Sequence, residues 1–191
     1  MAFKYLYLVR HGQYDLDKES EQYGSLNKLG YYQAGCVAKR LQDYPIGKIH
    51  SSSLTRAKQT ALSIIEKFSE LEIKSHHILK EGLPYVPNSV IKQKKIDKAQ
   101  IKMDRERMEQ AFEVFFKKTL KSEDKHELLV CHGNIIRFFI CKALRVPIEA
   151  WSNFELNHCS LSIVKIKPDG KMTVVCVGEV GHIPVLKQTI V

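Results

Sequence analysis

Two apolar runs in the sequence are each followed by a histidine and a glycine. The run that begins at Lys4, KYLYLVR, leads into His11-Gly12, and the run LLVC at positions 128–131 leads into His132-Gly133. Short apolar runs of this kind predict buried β-strands. Each strand therefore delivers a histidine at its tip, and the first also delivers Arg10. A neutral imidazole is a good nucleophile toward phosphorus, and an arginine fork matches phosphate oxygens, so the pattern predicts chemistry on an anion.

Two further polar residues follow predicted strands. Arg56 lies in the first turns of a helix that comes after the second strand, and Glu81 comes just after the third. Arg10, Arg56 and His132 together could neutralise a phosphoryl group in transfer without a metal ion. A buried Glu81 with a raised pKa could protonate the leaving alkoxide and then activate water.

The remaining elements must bring these residues together. Strands alternate with helices along the chain, and a Pro168-Asp169-Gly170 turn joins the last two strands in a hairpin. This order predicts an α/β three-layer sandwich, with a mainly parallel sheet, one antiparallel strand near an edge and helices on both faces. The predicted strands are the run from Lys4, then Ile46 to His50, Leu71 to Ile78, Glu127 to Cys131, Cys159 to Lys167 and Lys171 to Val177. Ligands of such sheets bind at the carboxyl ends of the parallel strands, where all the polar residues above are expected.

Helix ends are predicted from capping residues. Asn27 is expected to cap a helix that runs to Leu41, and the serines at positions 51–53 offer caps for the next helix. Asn134, at the start of a later helix, is either a cap or a group that helps to hold phosphate near the positive end of the helix dipole.

Composition bounds the class of protein. With 191 residues, 44% hydrophobic and 27% charged, the chain is expected to form a single domain over positions 1–191. The five cysteines include no CxxC pair, which indicates free thiols in a reducing compartment and predicts no metal centre and no cofactor. No signal peptide and no apolar stretch long enough to span a membrane is recognised, so we predict a cytoplasmic location without a membrane partner.

A formal net charge of +9 indicates an anionic partner. Much of the excess lies at positions 92–107, KQKKIDKAQIKMDRER, and continues into a helix with Phe112, Phe115, Phe116 and Leu120 on its predicted inner face. The basic stretch is either a solvated helix face or a surface for docking substrate. No nucleic-acid-binding motif is present, and no nucleic acid is expected as partner.

Each residue also has a structural explanation. A histidine after an apolar run is commonly a hydrogen-bonded core residue, Arg56 could be a surface arginine, and Glu81 could be solvated. The residue pattern alone therefore leaves a phosphate site and a purely structural arrangement both open.

Four sequence blocks resemble the histidine phosphatase superfamily, whose fold is that of phosphoglycerate mutase. They are LVRHG at 8–12, SSLTRAKQT at 52–60, EG at 81–82 and CHGN at 131–134, in the order and spacing typical of that family. The resemblance implies that His11 is the phosphorylated nucleophile, that Arg10, Arg56 and His132 hold the phosphate, and that Glu81 is the proton donor. The backbone of Gly133 would add a weaker phosphate contact.

Within the superfamily the chain most resembles the protein serine/threonine phosphatases found in mitochondria. The likeness extends through VCHGNIIR at 130–137, CKAL at 141–144 and GEVGHIP at 178–184. Gly12 departs from that branch, which has serine there, and returns to the general pattern. The resemblance predicts a metal-independent phosphatase that acts on phosphoserine or phosphothreonine in proteins.

Other functions stay open at this point. A small-molecule phosphatase or a mutase would use the same residues, although the short segment between Glu81 and His132 favours an open pocket and hydrolysis. A non-catalytic binding module is the third possibility, which the full set of catalytic residues disfavours. A homodimer is possible, with Trp151, Phe154 and the tail from Ile183 to Val191 either at its interface or in the core.

Overall fold

A computed structural model describes residues 2–17, 19, 24–120 and 122–190. Six strands form one sheet in the order β3-β2-β4-β1-β5-β6. They are β1 (Lys4–Arg10), β2 (Lys48–Ser52), β3 (Ile73–His76), β4 (Lys125–Cys131), β5 (Leu161–Ile166) and β6 (Met172–Glu179). All six match strands predicted from the sequence, with shifts at their ends.

The first four strands are parallel, and β5 pairs antiparallel with both β1 and β6. The prediction of a mainly parallel sheet with one antiparallel strand near an edge is therefore confirmed. The ends of the parallel strands define two further sides of the sheet, which we call the carboxyl edge and the amino edge. The carboxyl edge is where β1 to β4 end, and the amino edge is where they begin.

Helices cover both faces of the sheet, as predicted. They are α1 (Lys28–Leu41), α2 (Thr55–Ile65), α3 (Asn88–Lys94), α4 (Lys98–Phe115) and α5 (Gly133–Leu144). Buried side chains of α1 and α2 pack with Val9 and Val130 on one face, and those of α4 and α5 pack with Leu8 and Leu129 on the other. Adjacent residues of β1 and β4 thus point into opposite cores, which fixes the register of the strands.

The cap of α1 was predicted correctly and that of α2 wrongly, while of the two roles left open for Asn134 the cap is not observed. The Asn27 side chain accepts a hydrogen bond from the Gly30 N–H at 2.9 Å, as expected for the cap of α1. Helix α2 instead begins after Leu54, which provides no side-chain cap, and α5 begins after His132 rather than Asn134. Ser52 and Asn134 are engaged elsewhere, in contacts at the candidate site.

The basic stretch forms α3 and the first half of α4. Phe115 and Phe116 are buried as predicted, and Phe112 packs against the same core. Leu120 does not: its side chain is 92% exposed, because α4 ends at Phe115 and the chain beyond it no longer follows a helical period.

The C-terminal tail divides between core and surface. Ile183 is buried, whereas Val185 and Leu186 are 80% and 96% exposed. Trp151 and Phe154 pack against the core formed with α4 and α5. Val191 lies outside the described residues, and the expectation of a homodimer stays a prediction that a light-scattering mass would test.

All five cysteines are free thiols. None of the helices in the described ranges is both long and apolar enough to cross a bilayer.

Candidate active site

The strand register brings the two predicted histidines together at the carboxyl edge. Arg10 lies opposite Cys131 in the parallel β1–β4 pair, so His11 and His132 leave adjacent strands at the same level. Their ring centroids are 5.0 Å apart. Both side chains are buried, at 2% and 0% exposed.

Hydrogen bonds select one tautomer of His11. Its Nδ1 is 2.8 Å from the carbonyl oxygen of Gly12, which can only accept, so Nδ1 carries the proton. The other nitrogen, Nε2, accepts a hydrogen bond from Arg56 Nε at 3.0 Å. Burial lowers the pKa of His11, and the charges of His132, Arg56 and Arg10 lower it further. His11 is thus a neutral imidazole whose lone pair on Nε2 faces a guanidinium.

The glycine after His11 is required by close backbone contact. A Cβ at Gly12 would lie 2.6 Å from the carbonyl oxygen of Gly30 in α1, which is closer than atoms can approach. The Gly12 N–H also donates to Thr60 Oγ1 at 3.1 Å. The segment that holds the His11 ring is therefore fixed between α1 and α2.

Arg10 lies beside His11 with its guanidinium largely buried. Its Nη1 donates to the Leu156 carbonyl at 2.6 Å, while its Nε finds no hydrogen-bond partner among the described residues. A Cβ on Gly133 would come within 3.5 Å of this Nε, so the start of α5 passes directly over the guanidinium. Burial lowers the pKa of Arg10 to about 10, and the side chain stays cationic at neutral pH.

Arg56 reaches the site from the first turn of α2. Its guanidinium carbon lies 4.6 Å from the centre of the Tyr14 ring, in addition to its contact with His11. A guanidinium between an aromatic face and an imidazole is held in one orientation. Within the described ranges, the contact with His11 is the one hydrogen bond found for the Arg56 side chain.

His132 is held by Ser52, one of the serines that were expected to offer a cap for α2. Its Nε2 is 2.8 Å from Ser52 Oγ, while its Nδ1 is buried without a partner in the described part of the chain. Burial lowers the pKa of His132, with smaller contributions from Arg56 and Arg10. An imidazole that is neutral and has one unpartnered nitrogen can serve an incoming ligand as a hydrogen-bonding group.

Glu81 follows β3 and a short 3-10 turn at 77–79, and it reaches the same edge. Burial raises the pKa of its carboxyl group. Hydrogen bonds from the backbone of Gly82 and Asn134, and the charges of Arg56 and Arg10, act in the opposite direction. The net effect is a raised pKa, which favours the protonated carboxyl group, in the field of both arginines.

The structure adds two residues of the basic stretch that the sequence did not single out. Arg107, on α4, donates through Nη2 to the Glu81 carbonyl at 2.9 Å and through Nη1 to the Lys80 carbonyl. Its partner Asp104, 2.9 Å away, accepts from the Leu83 N–H at 3.1 Å. Both side chains are largely buried, at 14% and 12% exposed. For these two residues a solvated helix face is the wrong interpretation, because they clamp the backbone around Glu81.

Asn134 holds the same segment from α5. Its Nδ2 donates to the Gly82 carbonyl at 3.0 Å, so its side chain does not cap the helix. The Glu81 segment is thus fixed from two helices that belong to the same face of the sheet.

His158 is the other residue that sequence reasoning missed. Its ring centroid lies 5.5 Å from that of His11, and its Nδ1 is 2.9 Å from Thr189 Oγ1. Its Nε2 is buried and lacks a hydrogen-bond partner within the described ranges. Burial lowers the pKa of His158 to about 3, with Arg10 contributing, so the ring is a neutral wall beside His11.

All five predicted site residues therefore lie at one mouth on the carboxyl edge, and Gly133 lies with them. Two fixed guanidinium groups, a neutral nucleophilic imidazole and a carboxyl group of raised pKa form an arrangement that can bind a dianion and exchange a proton with it. No group of three or more metal-ligating side chains is found among the described residues.

Curated relatives cover nearly the whole chain. The chain is 36% identical over 188 residues to the mitochondrial serine/threonine-protein phosphatase Pgam5 of Caenorhabditis elegans, covering 96% of this chain and 65% of that protein. It is 33% identical to the corresponding protein of Xenopus laevis, covering 97% of this chain and 69% of that one. The chain thus spans about two thirds of the length of these relatives.

These names correct one prediction. A cytoplasmic location is wrong, because the relatives at 32–36% identity are named as mitochondrial proteins. The inference failed because neither free cysteines nor an unrecognised signal peptide and membrane span distinguishes the cytoplasm from another reducing compartment.

Solved structures share the fold. A phosphoglycerate mutase from Plasmodium falciparum matches with a TM-score of 0.68 and 27% identity, over 97% of this chain and 96% of that one. Bacillus stearothermophilus YhfR matches with a TM-score of 0.74 over 94% of this chain and 98% of its own, at 19% identity. The predicted phosphoglycerate mutase-like fold is confirmed.

The family model for branch 1 of the histidine phosphatase superfamily matches residues 6–83 and 92–178. These ranges include every residue that the strand ends bring together. The predicted enzyme class is confirmed at the level of the family, and the chain belongs to the histidine phosphatase superfamily.

Proposed function

We propose that residues 1–191 form a single catalytic domain that hydrolyses phosphomonoesters through a phosphohistidine at His11. The substrates we propose are phosphoserine and phosphothreonine in proteins. No metal ion is needed in this scheme, since Arg10 and Arg56 supply the positive charge that a transferring phosphoryl group requires.

The observation that carries the proposal is the tautomer of His11. With Nδ1–H donated to the Gly12 carbonyl, the lone pair resides on Nε2, next to Arg56 Nε at 3.0 Å. A phosphate oxygen that takes over this guanidinium would place phosphorus in front of Nε2. Arg56 thereby orients the substrate and, by donating to phosphate instead of to His11, also frees the Nε2 lone pair for attack.

In the first step the Nε2 lone pair attacks phosphorus, and the bond from phosphorus to the ester oxygen breaks. The proton of the Glu81 carboxyl group passes to that oxygen, so the substrate leaves as an alcohol. Arg10, Arg56 and His132 hold the three non-bridging oxygens, with the Gly133 backbone as a further contact. The raised pKa of Glu81 favours the protonated form that this step requires.

In the second step the Glu81 carboxylate removes a proton from water, and the water oxygen attacks phosphorus. The bond from phosphorus to Nε2 breaks, and its electron pair returns to the imidazole. Inorganic phosphate leaves, and Glu81 is protonated again for the next cycle. One carboxyl group thus acts first as acid and then as base.

The preference for phosphoproteins rests on the relatives, which are named serine/threonine-protein phosphatases. Serine and threonine alkoxides are poor leaving groups, which suits a site with a dedicated acid. By the same likeness we propose that the protein acts in mitochondria.

A substrate panel tests the proposal. The chain is incubated with phosphoserine, phosphothreonine and phosphotyrosine peptides and with phosphosugars, and phosphate release is measured against His11→Ala. We expect kcat/KM for the serine and threonine peptides to exceed that for phosphosugars at least tenfold. Turnover of phosphosugars alone would contradict the protein substrate and leave the phosphatase chemistry standing.

A mutase is the second candidate, favoured by the structural match to a phosphoglycerate mutase at 27% identity. A mutase returns the phosphoryl group to another position of its substrate, whereas a phosphatase transfers it to water. Incubation with 3-phosphoglycerate, followed by separation of the phosphoglycerate isomers and assay of free phosphate, distinguishes the two. We expect no isomer exchange.

A further inference from the structure

A second group of cations lies at the amino edge of the sheet, away from the candidate site. It lines a cavity of about 310 Å³, which we call the basic cavity. Its cationic and acidic lining residues are Lys4, Lys48, Lys117, Lys118, Lys125 and Glu127. Three of the lysines come from the first residues of β1, β2 and β4, and the other two from the segment after α4.

The charges in this cavity do not balance. Lys4 is neutralised by Glu127 at 2.8 Å and also donates to the Phe115 carbonyl at 2.8 Å. The other four lysines form no ion pair with any described residue. Like charges that converge on one cavity repel each other, and an anion between them removes that repulsion.

Acidic side chains outside the basic cavity offset the charge of only some of its lysines. Glu123 and Asp124 line a neighbouring cavity that shares Lys48 and Lys125, and Asp124 accepts a hydrogen bond from the Phe3 N–H at 2.8 Å. Lys117 and Lys118 line the basic cavity and not this neighbour. These two lysines are therefore the ones most open to an external anion.

Two histidines lie in the wall of the basic cavity. His50 Nδ1 is 3.0 Å from His76 Nε2, and His50 Nε2 is 3.9 Å from the Glu127 carboxylate. Burial lowers the pKa of His50 to about 4, and the charges of His76, Lys4 and Lys48 lower it further against the opposing effect of Glu127. Burial also lowers the pKa of His76, with Lys74 contributing. Both rings are neutral at pH 7 and would sense an anion beside them.

We propose that the basic cavity is a second anion-binding site that takes a small polyphosphate, separate from the phosphate site at His11. A single concave cavity with point-charge ammonium groups suits a compact ligand with several charged phosphate oxygens. An extended nucleic acid or peptide would instead require a continuous charged face. The site has a role apart from catalysis, since none of the residues that line it belongs to the constellation around His11.

The probe is inorganic tripolyphosphate, and binding to the full chain is measured by calorimetry at pH 7 and low salt. The test variant is Lys117→Gln/Lys118→Gln. The matched control is Lys92→Gln/Lys98→Gln, which removes two exposed charges outside the basic cavity. We expect the affinity to fall roughly tenfold in the test variant and to stay within twofold in the control, because only the former changes the local potential.

Imidazole NMR signals locate the bound probe. The signals of His50 and His76 should shift on addition of tripolyphosphate to the wild-type chain, and inorganic monophosphate should shift them only at concentrations about tenfold or more higher. Hydrolysis of a phosphomonoester should be unchanged in both double variants.

Three results would overturn the proposal. Equal loss of affinity in the test variant and the control would show attraction to net charge only. Silent His50 and His76 signals at saturation would place the probe elsewhere, and full competition by a substrate of the His11 site would place it there. Because binding is read without turnover, these results are independent of whether the proposed phosphatase reaction is correct.

Discussion

The carboxyl edge and the amino edge of the same sheet both gather positive charge, but they hold it differently. At the carboxyl edge Arg10 and Arg56 are bound to defined partners, at 2.6 Å to the Leu156 carbonyl and 3.0 Å to His11. At the amino edge, Lys117 and Lys118 are exposed and form no ion pair in the described part of the chain.

This difference separates two uses of a cation. A fixed guanidinium places phosphorus against a nucleophile, and small displacements of it are costly. A mobile ammonium contributes potential and adapts to the ligand, so its exact position matters little. The carboxyl edge should therefore respond to geometry, and the amino edge to charge alone.

The largest contrast should come from exchanging the two kinds of cation. We expect Arg56→Lys to lower kcat/KM about a hundredfold or more, since lysine cannot contact His11 and two phosphate oxygens together. Lys58→Ala, an exposed change on the same helix, is the control. At the amino edge Lys117→Arg/Lys118→Arg should bind tripolyphosphate within threefold of wild type. Full activity of Arg56→Lys would contradict the requirement for a fixed guanidinium at the carboxyl edge.

Glu81 should act through its proton. Because burial raises its pKa, the first step should slow as pH rises through that raised value and the carboxyl group loses its proton. Glu81→Gln should lower kcat about a hundredfold or more, and the alkaline fall of kcat/KM should disappear. With p-nitrophenyl phosphate, whose leaving group needs no acid, the variant should accumulate phosphoenzyme, because the base of the second step is missing. A persisting alkaline fall would assign it to another group.

A positioning residue provides a smaller effect at the carboxyl edge. Arg107→Ala removes the hydrogen bonds to the Lys80 and Glu81 carbonyls, and we expect kcat to fall about tenfold. The alkaline limb of the pH profile should also move, since Glu81 would lose its fixed surroundings. Arg105→Ala, exposed on the same helix, should leave kcat and the pH profile unchanged. A lower stability of Arg107→Ala with an unmoved pH profile would reduce Arg107 to a structural role.

The smallest effect concerns stability in acid. The pKa of His158 is lowered to about 3 in the folded chain from an ordinary 6.5, so below pH 6.5 the unfolded chain binds the extra proton. Stability should therefore be intact above pH 6.5 and be lost as pH falls toward about 3. In His158→Gln the loss between pH 7 and pH 5 should be smaller, as measured by the denaturant midpoint at each pH. An identical loss in both proteins would contradict the buried, neutral ring.

The residues that the sequence revealed share a local signal. His11 and His132 each follow an apolar run, and parallel pairing of those runs is enough to bring them together. The fold class was accessible for the same reason, because alternation and the Pro168-Asp169-Gly170 turn are local features.

The residues that were missed depend on contacts across the chain. Asp104 and Arg107 continue the buried spacing of Met108, Ala111 and Phe115 toward the start of α4, and this spacing was the available signal. The spacing was not recognised because both residues are charged, and charged residues are usually solvated. His158 arrives at the carboxyl edge because β5 is antiparallel and therefore begins where β1 ends, with Leu161 opposite Val9. The topology implies this position, whereas the identity of its neighbours requires the folded chain.

Phosphohistidine trapping tests the central claim most directly. The chain is mixed with a ³²P-labelled phosphopeptide, quenched within milliseconds in alkali, and mapped by peptide mass analysis. We expect an acid-labile phosphoryl group on His11, which is absent in His11→Ala and, with p-nitrophenyl phosphate as the phosphoryl donor, longer-lived in Glu81→Gln. Rapid turnover with no label on His11, or label on His132 or His158, would contradict it.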